Sequence, residues 1–127
     1  MILIACVDGR NGMAFNHRRQ SRDRLVRWDI LKEAGRASLW MDAATACQFT
    51  PGQQERLLID ENFLDRAGPG DFCFVEDRSV KAYAGQVERV ILYRWDRAYP
   101  ADFFWDLPLE NWTLERRAEF PGYSHKI

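Results

Sequence analysis

Histidine is scarce in this 127-residue chain: His17 and His125 are the only two. That excludes the His-rich metal centres of hydrolases, and no HxHxDH run exists. Cysteine is almost as sparse. Cys6, Cys47 and Cys73 are odd in number, far apart and set among apolar neighbours, with no CxxC pair; the expectation is reduced core thiols rather than disulfides or zinc ligands. No phosphate loop of the form G-x-x-x-x-G-K-S/T or G-x-G-x-x-G is present, and GRNG and GPG read as turns. Neither Ser-x-x-Lys nor G-x-S-x-G occurs, so the familiar serine nucleophiles are missing too. Long hydrophobic runs are also lacking. The apolar start, residues 1–7, has no basic flank and stops at Asp8, which fits neither a signal peptide nor a membrane span and leads to the expectation of a cytoplasmic protein without membrane partners. Finally, neither sign of charge dominates: 18 Lys+Arg stand against 19 Asp+Glu. This argues against a general nucleic-acid or anionic-membrane surface, and leaves room only for a local basic site.

What is present is material for one ordered domain. Hydrophobic residues make up 46% of the chain and aromatics 13%, enough to build a sizeable core at this length. No repeat, low-complexity tract or linker interrupts it, so residues 1–127 are expected to form a single domain. Ile2–Val7 is a continuous apolar run, as in a central strand covered on both faces. Ser21 is a good N-cap for a helix over residues 22–34 closed by Gly35, with Asp23, Val26, Ile30 and Ala34 on one face and Leu25, Trp28 and Leu31 on another. A short strand over 37–41 should run into a helix over 42–49 that starts on an Asp42 cap and is broken by Pro51-Gly52. Residues 60–67 suit another helical turn, stopped by Gly68-Pro69-Gly70. Further strands are expected at 72–75 and 87–95, a helical segment at 79–84, and an antiparallel edge strand at 112–120. Alternating strands and helices predict an α/β domain with a largely parallel sheet and an antiparallel C-terminal portion.

One stretch stands out against the neutral background. NGMAFNHRRQSRDR, residues 11–24, packs four arginines and a histidine together. His17 with Arg18, Arg19 or Arg22 could support metal-independent phosphodiester cleavage, the histidine moving a proton and an arginine holding phosphate. Alternatively, the arginines could pair internally with acids or meet an anionic ligand at the helix start at Ser21. A solvated cationic loop is the plain reading. The aromatic residues over 99–112 read as core and edge packing before a base-stacking surface.

Three stretches together resemble the dihydrofolate reductase family, and the likeness covers most of the chain. ILIACVDGRNGMAFN is similar to the family's first strand and following loop, with Asp8, Asn11 and Gly12 in place. ASLWMDAAT looks like its strand-to-helix turn, with Met41 and Thr45 matching. ERVILYRWDRAYPADFFWDLPLENWTL resembles its closing strand, its Asp-x-x-Phe-Pro segment and the Trp of the last strand, with Asp102, Phe104 or Trp105, and Trp112 at those places. The resemblance implies a reduced-size, three-layer sandwich with a mostly parallel central sheet and an antiparallel C-terminal strand. It also implies that Asp23 holds the place of the pterin-pocket acid, that Tyr93 replaces a threonine beside that acid, and that Asn16, Arg18, Arg19, Arg22, Thr45 and Tyr93 lie around a ligand.

The departures from the family pattern bear on its cofactor. Its NADPH phosphates meet a Gly-Arg turn and a later Gly-Gly pair; here those turns read Asp42-Ala43 and Glu76-Asp77. A carboxylate there blocks close backbone approach and repels phosphate, at a cost on the order of 1 kcal/mol for each partly desolvated contact. The chain is also shorter than the family between Phe49 and Phe72. The expectation is therefore a protein that has lost NADPH-dependent reduction, needs no cofactor or metal, and binds a small anionic or nucleotide-like molecule or a protein partner. A homodimer through the C-terminal aromatic residues is one form of the latter. The alternatives are an active reductase with an altered cofactor site and the phosphodiesterase built on His17.

Overall fold

The computed structural model describes residues 1–7, 12–15, 18–19, 24–76, 78–94 and 103–107, with backbone alone at 12–15, 18–19, 24–25, 94 and 103–104. Five strands form one sheet: β1 (Ile2–Val7), β4 (Leu39–Met41), β5 (Leu57–Ile59), β6 (Phe72–Val75) and β7 (Arg89–Arg94), in the order β5-β4-β6-β1-β7 and parallel throughout. A separate antiparallel sheet joins β2 (Gly12–Phe15) to β3 (Arg18–Arg19) and β8 (Phe103–Phe104). The α/β class follows from the sequence as expected, and the edge strand anticipated at 112–120 lies outside the described residues.

β1 lies inside the sheet between β6 and β7, and its side chains alternate between two cores. Ile2 and Ile4 pack on one face with Val26, Ile30 and Ala34 of helix α1 (Arg24–Ala34). Leu3, Ala5 and Val7 pack on the other with Phe63 and Leu64 of helix α4 (Phe63–Arg66) and with Val80. A strand buried on both faces needs the uninterrupted apolar run that the sequence supplies. The chain leaves β1 toward β4, passing β6, and leaves β6 toward β7, passing β1. Those crossovers run in opposite directions, so α1 covers one face while α4 and the 3-10 helix Lys81–Gln86 belong to the other. The diverging carboxyl ends of β1 and β6 mark the position where open α/β sheets hold their ligands.

The local signals that end elements are visible. Gly35 adopts φ +56, the left-handed conformation that closes α1, with its amide bonded to Leu31 O at 3.1 Å. Gly70 turns the chain into β6 at φ +79. Asp42 caps helix α2 (Ala43–Ala46), as expected, but α2 is a single turn and ends before Cys47. Pro51-Gly52 does not break a helix; it opens helix α3 (Pro51–Gln54), because proline fits the first helical position and Thr50 with Gln53 completes a capping box. Strand β5 is a further correction, since the sequence reading placed nothing regular at 57–59.

Cys6 and Cys47 depart from the expected core position, and the surroundings of Trp28 and Trp105 become clear. Trp28, set with Leu25 and Leu31 on one helical face, is 66% exposed, because it stands about 200° around the helix from Val26 at 3.6 residues per turn. Cys47 is exposed and Cys6 half-buried, leaving Cys73 as the core thiol, where burial raises its pKa to about 12. Trp105, one of the C-terminal aromatics considered for a dimer patch, is buried in the second core with Leu107, whose carbonyl accepts from its indole at 2.7 Å. Among the described residues no helix is long and apolar enough to cross a membrane.

The contrast between the two faces of α1 gives a direct test. Ile30→Ala, at a fully buried position, should lower the urea-derived unfolding free energy by about 2–5 kcal/mol, whereas Trp28→Ala should change it by no more than about 0.5 kcal/mol.

Candidate functional site

The carboxyl ends of β4 and β6 carry a linked set of polar side chains. Asp42, the first residue after β4, is 6% exposed, and its Oδ1 accepts from the Thr45 amide at 2.8 Å. Its Oδ2 accepts from the Arg78 guanidinium at 2.9 Å. Glu61 reaches the same helix start, its Oε2 accepting from the Ala43 amide at 3.0 Å. The two α2 amides that would face an incoming anion therefore already hold carboxylates of this chain. Next to them, Glu76 at the end of β6 accepts from Gln48 Nε2 at 3.1 Å.

Arg78 ties this end of the sheet together. Besides Asp42, it donates to the Glu61 carbonyl at 2.5 Å and lies 4.7 Å from the centre of the Phe63 ring. Its Nε is buried with no hydrogen-bond partner among the described residues. Burial pushes the Asp42 pKa up, but the Thr45 amide and hydroxyl and the Arg78 guanidinium outweigh it and hold the carboxyl below the usual carboxylate range. Among the described residues the cation paired with Asp42 is Arg78. The side chains of Arg18 and Arg19 are not described, and only the strand position of their backbone, in β3, is known.

A second pair sits at the end of β7. Tyr93, 5% exposed and level with Cys6 of β1, donates its hydroxyl to Asp29 Oδ2 at 2.5 Å. Burial first, and then the bond to Asp29, push the Tyr93 phenol well above its ordinary pKa. Asp29 is the residue that the sequence reading missed. A usable signal was there: Asp29 stands three residues after the buried Val26 and beside the buried Ile30, so it lies at the margin of the face that meets the sheet. Asp23, chosen instead, lies outside the described residues, as do Asn16, His17, Arg22 and Asp77. Of the remaining choices, Thr45 is 2% exposed and occupied under the Asp42 cap, and Tyr93 is engaged by Asp29.

The third feature is a groove of about 500 Å³ between α1 and α3, lined by Trp28, Leu31, Lys32, Thr50, Gly52, Gln53 and Arg56. It combines an exposed indole and a leucine with two cations, and no carboxylate is among its lining residues. One Arg56 Nη donates to the Gly35 carbonyl, which steadies the guanidinium at the end of α1. Thr50 and Gln53 spend their polar atoms on each other in the α3 cap. No protein-family model and no curated protein matches the chain. The residues themselves must carry the functional argument. Among the described residues no group of three His, Cys, Asp or Glu side chains is arranged to hold a metal ion.

Two measurements probe these pairs. Asp42→Ala removes both the cap and the partner of Arg78 and should cost about 2–3 kcal/mol, while Asp42→Asn keeps a capping oxygen and should cost about half that. Because the folded pKa of Asp42 is lowered, its contribution is complete above about pH 4 and is lost as the pH falls through the folded value, so Asp42→Asn should flatten the acid limb of a stability-pH curve. For Tyr93 the sign is opposite. Its raised folded pKa gives a contribution that is complete below about pH 10 and is lost as the pH rises further, so Tyr93→Phe should flatten the alkaline limb in the same urea titrations.

Proposed function

We propose that this chain is a shortened protein on a dihydrofolate reductase-like scaffold, and that it binds a small anionic molecule carrying an apolar ring, without using NADPH. The observation that carries the binding reading is the groove between α1 and α3. Trp28 and Leu31 offer a flat apolar wall, Lys32 and Arg56 offer positive charge, and the volume of about 500 Å³ suits a small ligand. Arg56, already anchored to Gly35, retains further guanidinium donors for a carboxylate or phosphate. Such a pair of features selects a ligand with a ring at one end and an anion at the other.

The scaffold reading rests on the resemblance in sequence together with the parallel sheet and the strand-to-helix passage from Met41 to Thr45. The residues at the family's phosphate turn do not fit a dinucleotide. The Ala43 and Thr45 amides are taken by Glu61 and Asp42, and Arg78 is committed to Asp42. A phosphate arriving there would have to displace two carboxylates and would gain no free cation from Arg78. At the other turn, Glu76 adds a further negative charge.

A second reading, retained acid-base chemistry, is favoured by one observation. Tyr93, which the resemblance sets at the place of the family's threonine, bonds Asp29, and this supports Asp29 as a helix acid beside the long strand. In that reading Asp29 would hold the ring of a bound ligand and handle its proton.

A thermal-shift series with NADPH, folates, nucleotides and inorganic phosphate separates the two. The expected result is stabilisation by an aromatic anion and none by NADPH. Arg56→Ala should weaken that binding about 10- to 100-fold, consistent with the loss of a charge-assisted contact. Nicotinamide fluorescence showing NADPH bound more tightly than about 10 µM, with folate reduction abolished by Asp29→Asn, would establish the reductase reading instead.

A further inference from the structure

The β5 edge of the parallel sheet is the feature that the proposed function leaves unused. Leu58 and Ile59 are 41% and 46% exposed, and with Trp28 they are the large hydrophobic side chains left exposed among the described residues. β5 pairs with β4 on one side, and no strand among the described residues pairs with its other side. The Asp60 amide donates to Met41 O at 3.1 Å, which fixes the hydrogen-bonding phase of the pair. Residues 58 and 60 therefore turn their peptide groups toward β4, and Leu57 and Ile59 turn theirs outward. An outward row of donors and acceptors flanked by apolar side chains is a template for another strand.

The geometry points to a second copy of this chain as that strand, added antiparallel about a two-fold axis through Leu58. In that register Leu57 lies opposite the partner's Ile59, and these are the residues whose peptide groups face outward, so they form hydrogen-bonded pairs on both sides of the axis. Leu58 lies opposite the partner's Leu58, which extends the apolar row that Trp40 and Leu58 already make across β4 and β5. One step further out, Arg56 lies opposite the partner's Asp60, and Asp60 opposite the partner's Arg56, adding an intermolecular pairing to the contacts that Asp60 makes with Arg66 at 2.8 Å and Arg56 with the Gly35 carbonyl in its own chain. The sequence R-L-L-I-D is thus self-complementary in charge when reversed on itself. A single edge of three residues is short, so association is expected at concentrations on the order of 10–100 µM, at the weak end of specific interfaces.

Sedimentation velocity between about 5 and 300 µM tests this, with fold monitored by far-ultraviolet circular dichroism. The wild-type mass should rise from 14.9 kDa to twice that value across the range. Leu58→Lys places two like charges on the axis and should remain at 14.9 kDa with an unchanged spectrum. As a positive readout, Leu58→Cys in a Cys47→Ser background should give a disulfide-linked dimer under mild oxidation, because directly opposed residues bring their Cβ atoms close. The substituted residues lie outside the lining of the α1–α3 groove, so failure here leaves the binding reading standing, although the two readings share Arg56. A wild type that stays at 14.9 kDa at 300 µM overturns the inference, as does a folded Leu58→Lys variant that still dimerises or a Leu58→Cys variant that does not cross-link.

Discussion

The double burial of β1 is the constraint on which the rest of the structure depends. Its first four residues pair with β6 on one side and all six pair with β7 on the other, and its side chains alternate between two cores. A substitution in this strand strikes the core on one face directly, loosening the helix or turn that covers it. The two covering layers in turn set where the chain can gather polar side chains. Those groups collect at the carboxyl ends of the strands, around β4 and β6 and beside β7.

At that end the chemistry is shaped by self-occupation. Asp42 and Glu61 fill the α2 amides, and Arg78 neutralises Asp42 while lying against Phe63. Asp42 is buried and Arg78 less so, so the pair keeps one partly solvated member and avoids the full desolvation cost of a deeply buried ion pair. The same residues that stabilise this corner make it unreceptive to a further anion. Positive charge is found instead in the groove beside α1, where Lys32 and Arg56 flank Trp28 and Leu31 and no acid is among the lining residues. Structure and binding capacity are thereby divided between two regions of one small domain.

Much of the framework was legible in the residues. Ile2–Val7 and Phe72–Val75 are apolar runs with clear ends, Gly35 marks a helix stop, and Asp42 marks a helix start. The misses have physical causes. β5 is only three residues long and half exposed, so its pattern carries no period. Pro51 breaks helices in general but begins one when a capping residue such as Thr50 precedes it. Helical spacing set Trp28 on a face with Leu25 and Leu31, apart from Val26 and Ile30, but did not show which part of that face is covered. The site was less legible than the fold. Arg78 and Asp42 are far apart in sequence, and the bond between Asp29 and Tyr93 spans an even longer separation that no local motif encodes.

The three helices α2, α3 and α4 have four residues each. A single turn cannot sustain itself, since nucleation costs more than one turn of hydrogen bonds returns. These turns persist because caps and neighbours hold them, and β5, which they flank, is equally brief. The molecule is therefore graded in durability along its sheet. The β6-β1-β7 side, with its longer ladders, should keep its amide protons until global unfolding, while the side from Asp42 to Arg66 opens and exchanges in smaller, more frequent excursions.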